Sequence, residues 1–75
     1  MPKLPSISAK QAIKAFEKLD YQVTRQKGSH IRMHHKTDRS RKPLTIPNHN
    51  ALGKGLLRKL LRDSEITVEC FTKLL

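Results

Sequence analysis

Residues 27–35 read Lys-Gly-Ser-His-Ile-Arg-Met-His-His, so a glycine turn, a hydroxyl and three imidazoles fall beside two fixed positive charges. Imidazole is the side chain whose ordinary titration lies near neutrality, and its neutral form can take a proton from a substrate hydroxyl. Arg and Lys beside it can hold a phosphate and stabilise the charge that builds on phosphoryl oxygens. RNA is the substrate with a matching need, because its 2′-hydroxyl, once deprotonated, can attack the neighbouring phosphate without a metal ion. DNA has no such nucleophile. The candidate set is therefore His30 for proton transfer, with Arg25, Lys27, Gly28, Ser29 and Arg32 as the anion-binding surroundings. The Ser29 hydroxyl would orient the imidazole or the RNA, or merely finish the turn. An exposed histidine on a basic surface is more often a passive contact than a cutting group, so at this level binding and catalysis are both open.

The distribution of charge supports an anionic partner. The chain has 75 residues, with 16 Lys and Arg against 6 Asp and Glu, a net charge of +10. Residues 21–50 hold Arg25, Lys27, Arg32, Lys36, Arg39, Arg41 and Lys42 against Asp38 alone, a net of +6, while the segments on either side net +2 each. A localised field of this kind attracts a ligand, whereas dispersed charge mainly keeps a chain soluble. Nucleic acid is the expected partner. The length fits one small domain, 1–75, whose core is only marginally sufficient by itself. A lone Cys70 cannot form an internal disulfide and the start carries no signal-peptide pattern, so a reducing, cytoplasmic location is expected. No apolar run approaches the roughly 18 residues of a membrane span, and the basic cluster lies in strand-like sequence, so no membrane partner is expected.

The elements that must position these residues can be read from periodicity. Ser8 with Gln11 has capping-box spacing, and Ala12, Ile13, Phe16 and Leu19 follow at helical intervals, which predicts a helix over about 9–19. After Asp20 the period becomes two. Tyr21, Val23 and Arg25 share one parity, Lys27-Gly28 breaks the strand, and Ile31 and Met33 then alternate with His30, Arg32 and His34. The apolar parity of this second strand must face a helical layer, which turns His30, Arg32 and His34 to the open face. Same-face neighbours stand roughly 6.5 Å apart along a strand, room for a phosphate between His30 and Arg32.

Residues 36–42 have no apolar member and read as a mobile basic loop. A short strand at 44–46, flanked by Pro43 and Pro47, suits a sheet edge. Gly53 and Gly55 bracket the start of a helix with a core stripe of Leu56, Leu57, Leu60 and Leu61. A last short helix from about Thr67 buries Val68, Phe71 and Leu74 or Leu75. The order is helix, three-stranded meander, helix, short helix: a two-layer α+β sandwich.

Four histidines and a cysteine also raise the question of zinc, and strand geometry argues against it. His34 and His35 are adjacent and point to opposite faces, while His30 and His34 are separated by roughly 13 Å of strand, too far to share one ion. No metal and no cofactor are expected. Cys70, next to Phe71, is most simply a small core residue. His49, in Ile-Pro-Asn-His-Asn, reads as a turn residue or local cap, or as a second proton-transfer or phosphate-contacting group, and sequence does not choose between them.

A first amphipathic helix, Gly-Ser-His at 28–30, Ile-Pro-Asn-His at 46–49, Gly-Leu-Leu-Arg-Lys-Leu-Leu at 55–61 and Thr-Val-Glu-Cys-Phe at 67–71, in this order and spacing, resemble the HicA family. These are the toxins, mRNA interferases, of toxin–antitoxin pairs. The resemblance runs over nearly the whole chain. It implies a double-stranded-RNA-binding-domain-like α-β-β-β-α fold, with a three-stranded antiparallel sheet, helices on one face and a short extra C-terminal helix. It implies metal-independent cleavage of mRNA that blocks translation, a place in stress response, and inhibition by a HicB-like antitoxin covering the site. The toxin would act as a monomer or sit in a higher assembly with that antitoxin. The family's catalytic histidine falls on His30, and its second motif histidine falls on His49; His49 and His34 are auxiliary candidates. The Arg-rich loop around Arg39 and Arg41, and Cys70 where the family pattern usually has an acid, are departures outside the site. The rival class is a non-catalytic RNA-binding module that reads shape and phosphate without chemistry. A surface that docks an acidic protein is a third.

Overall fold

Side-chain caps at Ser8 and Thr67 open the first and last helices. In the computed structural model, which describes residues 4–75, the chain forms α1 (Ala9–Glu17), β1 (Tyr21–Lys27), β2 (His30–His35), β3 (Leu44–Pro47), α2 (Lys54–Asp63) and α3 (Val68–Thr72). The capping box at the start of α1 is complete. The Ser8 hydroxyl accepts from the Gln11 N–H at 3.2 Å, and the Gln11 side-chain oxygen accepts from the Ser8 N–H at 3.0 Å. Asp20, at φ 68°, turns the chain into β1.

The strands form one antiparallel sheet in the order β1-β2-β3. Lys27 pairs with His30 across the two-residue turn Gly28-Ser29. Of the turn pair only Gly28 has positive φ, at 58°, the pattern of a type II′ hairpin, which demands glycine at its first central position. The helices cover one face. Tyr21, Met33, Leu44 and Ile46 meet Ala12, Ala15 and Phe16 of α1, Leu57, Leu60 and Leu61 of α2, and Phe71 of α3 in one buried cluster. Phe16 lies at its centre, 5.9 Å from the Tyr21 ring edge-on and 5.2 Å from Phe71. Buried Ile31 and Met33 alternate along β2 with exposed His30, Arg32 and His34, as the parity predicts.

Two expectations are corrected here. Arg25 leaves the parity of Tyr21 and Val23, because the pairing shifts by one residue between Val23 and Arg25; Val23 keeps its place opposite Met33 yet is 45% exposed on the edge strand. Thr24 is the extra residue of a β-bulge, and beyond it Arg25 stands opposite Arg32 and Lys27 opposite His30. Cys70 is exposed, not a core residue. In α3 the inward side is taken by Phe71 together with the partly buried Val68 and Leu74, and Cys70 falls between those positions on the outer side. Leu75 is also outside, so Leu74 makes the packing contact.

The basic loop after β2, read as mobile, is tied down. The His35 Nδ1 accepts from the Asp38 N–H at 2.9 Å and from the Thr37 N–H at 3.3 Å, and the Lys36 N–H donates to the Asp20 carbonyl at 2.8 Å. Arg41 donates to the Ser64 carbonyl at the end of α2 (2.6 Å) and lies 3.4 Å from carboxylate oxygens of both Asp38 and Glu65. It thereby meets orphan carbonyls at a helix C-terminus, where a cation is favoured. The same end closes in a Schellman motif: the Ile66 N–H bonds Leu61, the Glu65 N–H bonds Arg62, and Glu65 takes the left-handed conformation at φ 59°. No helix among the described residues is long and apolar enough to cross a membrane.

Candidate functional site

The open face of the sheet carries a shallow cleft of about 390 Å³, lined by Arg25, Lys27, His30, Arg32, His34 and Thr45. Its volume lies at the low end of the range for small-ligand sites. Five of the six lining residues are named by the sequence reading, and the bulge at Thr24 is what assembles them. Strict alternation from Tyr21 would have sent Arg25 and Lys27 toward the helices. One extra residue reverses every side chain after it.

Two of the lining groups are held in place. Arg32 donates from Nη1 to the Thr45 hydroxyl at 2.9 Å, and Thr45 is its direct partner on β3. The His34 Nδ1 is bonded to the Thr24 hydroxyl, so the bulge residue also orients an imidazole. His30 is exposed at the hairpin end of the cleft, between the cationic side chains of Lys27 and Arg32. A guanidinium already fixed by a hydroxyl loses less freedom on gripping a phosphate than a free one.

Gly28 and Ser29 form the turn beside this end of the cleft and do not line it. The Ser29 carbonyl accepts from the Asn48 N–H at 2.6 Å, which docks the loop leaving β3 onto the hairpin. His49 follows in that loop. Its carbonyl accepts from the Ala9 N–H at 3.0 Å, so its backbone serves the start of α1, while its side chain is exposed and outside the cleft. His35 points to the other face, edge-on to Tyr21 at 5.2 Å, and serves the loop after β2. Tyr21 is buried, and its hydroxyl, near the Arg41 guanidinium, makes no hydrogen bond of good geometry among the described residues. Burial pushes the phenol above its usual range, against the pull of the nearby Arg41 guanidinium.

Thr24 and Thr45 are the site residues that sequence reasoning missed. Thr45 alternates with Leu44 and Ile46 and so was legible as outward-facing, but its register opposite Arg32 was not. Nothing local marks Thr24 as a bulge. Among the described residues no three His, Cys, Asp or Glu side chains form a group able to hold a metal ion. What the cleft brings together is two exposed imidazoles and three cationic side chains on one face of the sheet.

Comparison with known proteins gives one finding. No curated protein and no solved structure matches the chain. A family model described as "HicA toxin of bacterial toxin-antitoxin" matches residues 9–66, from the first residue of α1 to just beyond α2. That span includes all three strands and every residue lining the cleft. With most of its length under that match and the α-β-β-β-α order in place, the chain belongs to the HicA toxin family of toxin–antitoxin systems.

Proposed function

We propose that this protein is an endoribonuclease that cuts mRNA at the His30 cleft without a metal ion and so blocks translation, held in check by a HicB-like antitoxin that covers the cleft. The observation that carries the reading is the placement of one exposed imidazole beside Lys27, Arg25 and Arg32 on an open, basic sheet face. In the first step the His30 imidazole takes the proton of a ribose 2′-hydroxyl. The O2′ then bonds to phosphorus, the P–O5′ bond breaks, and the leaving O5′ takes a proton from water or from the imidazolium formed in the first step. Arg25, Lys27 and Arg32 would hold the phosphate and offset the charge growing on its oxygens. His34, oriented by Thr24, and His49, across the hairpin, are auxiliary candidates.

The test is His30→Ala assayed for both binding and cutting of RNA. The variant is expected to bind with near-unchanged affinity and to lose cutting by a factor of about 100 or more, the usual contribution of a positioned acid or base. Loss of cutting on chelation of metal ions, or a wild-type protein that binds RNA and never cuts it, would overturn the reading. The second outcome would leave the non-catalytic binding module.

A further inference from the structure

A second cleft adjoins the first. Gln22, His34, Lys36 and Arg39 line it together with His35, Pro43 and the Asp38–Arg41 ion pair, and His34 belongs to both clefts. Gln22 pairs with His34, so the two stand side by side on the open face. The continuous surface therefore runs from Lys27 and His30 at the hairpin, past His34, to Lys36 and Arg39 at the opposite end of β2. From His30 to His34 alone is roughly 13 Å of strand, more than one phosphate step of an extended polynucleotide.

Charge pairing sharpens the point. Asp38 is the one carboxylate in residues 21–50, and it faces Arg41 and Ser40. Glu65, just past the end of α2, faces Arg41 as well, and Asp63 lies on the Arg41 and Lys42 side of the loop. Arg41 thus answers both Asp38 and Glu65, and among the described residues no carboxylate forms an ion pair with Lys36 or Arg39. The loop that presents them is anchored through His35, Asp20 and Ser64, so these cations are displayed from a fixed segment. An anchored loop with such cations at the far end of a basic track has the makings of a grip on the strand.

We infer that Lys36 and Arg39, with Gln22 and His34, form a second phosphate subsite, which holds single-stranded RNA more than one nucleotide away from the bond that is cut. This rests on the reading of the His30 cleft as an RNA-cleaving site. Phe16, Tyr21 and Phe71 are all buried, so the track offers bases no Phe, Tyr or Trp to stack on, only imidazole rings and guanidinium planes, and its cations hold the strand chiefly by its phosphates. Substrate length, through the number of phosphates engaged, is then what this subsite reads.

The experiment measures binding of uncleavable, fully 2′-O-methylated RNA as a trinucleotide and as a dodecanucleotide, over a series of salt concentrations. The Lys36→Ala/Arg39→Ala variant is expected to lose affinity for the dodecanucleotide by about tenfold, with a much smaller loss for the trinucleotide. Its salt slope on the longer strand should fall by about 1 to 2, as two phosphate contacts disappear. Arg39→Lys should restore part of the length dependence, and an unchanged thermal midpoint shows that the fold is intact. An equal loss for both lengths, or no loss, overturns the subsite alone. Wild-type protein that neither binds nor cuts RNA overturns the nuclease reading and the subsite with it.

Discussion

His30 owes its position to three neighbours that carry no chemistry. Ile31 and Met33 are drawn to the core and so force the intervening side chains outward, and Gly28 lets the hairpin close directly before His30. The glycine is required for its backbone alone: a Cβ there would meet nothing within 4 Å, but φ is 58°. Gly28→Ala should therefore destabilise the protein by about 1–2 kcal/mol through left-handed backbone strain, without any clash. Denaturant unfolding should show a lower midpoint at unchanged slope. An unaltered midpoint would mean that the turn adopts another conformation. The hydroxyls of Thr24 and Thr45 act at the same scale, each fixing one ring or fork of the cleft.

Among elements, the loop between β2 and β3 departs most from its composition. It looks like a solvated basic tract, yet Asp38 and Arg41 organise it against α2. The Ser40 hydroxyl and N–H, with Arg41 adding its charge, hold the Asp38 carboxyl below the usual carboxylate range. A lowered value in the folded state means that the stabilisation is complete above the ordinary carboxylate pKa and fades as pH falls through the lowered one. Asp38→Asn should thus be less stable than wild type at neutral pH, with the difference shrinking in acid. Thermal unfolding across a pH series reads this directly, and a difference that stays constant into the acid range would contradict it. The β1 bulge is the other element-level device, since it points Arg25 and Lys27 at the cleft while Tyr21 stays in the core.

At the scale of the molecule, the sheet separates two functions by face. One face is buried against three helices; the other presents Arg25, Lys27 and Arg32 in one cleft, and Lys36 and Arg39 line the cleft that adjoins it through His34. If each of these cations meets one phosphate, the affinity for single-stranded RNA should fall with salt at a log–log slope of about −3.5. Titrations of His30→Ala with RNA at several ionic strengths avoid interference from cleavage. A slope near zero would point instead to recognition of bases or of an uncharged ligand.

What the sequence determined by itself is whatever depends on local periodicity and capping: the helix after Ser8, the hairpin at Gly28-Ser29, the outward parity of His30, Arg32 and His34, and the family pattern from Gly28 to Leu61. These follow from neighbours within a few residues. The tertiary structure decided what depends on partners distant in the chain. It alone shows the bulge that turns Arg25 and Lys27, the Thr45 hydroxyl under Arg32, the exposure of Cys70, and the anchoring of the Arg41 loop on α2. Strand register and the match of one cation to two carboxylates are set by how the layers pack, and no spacing along a single strand encodes them.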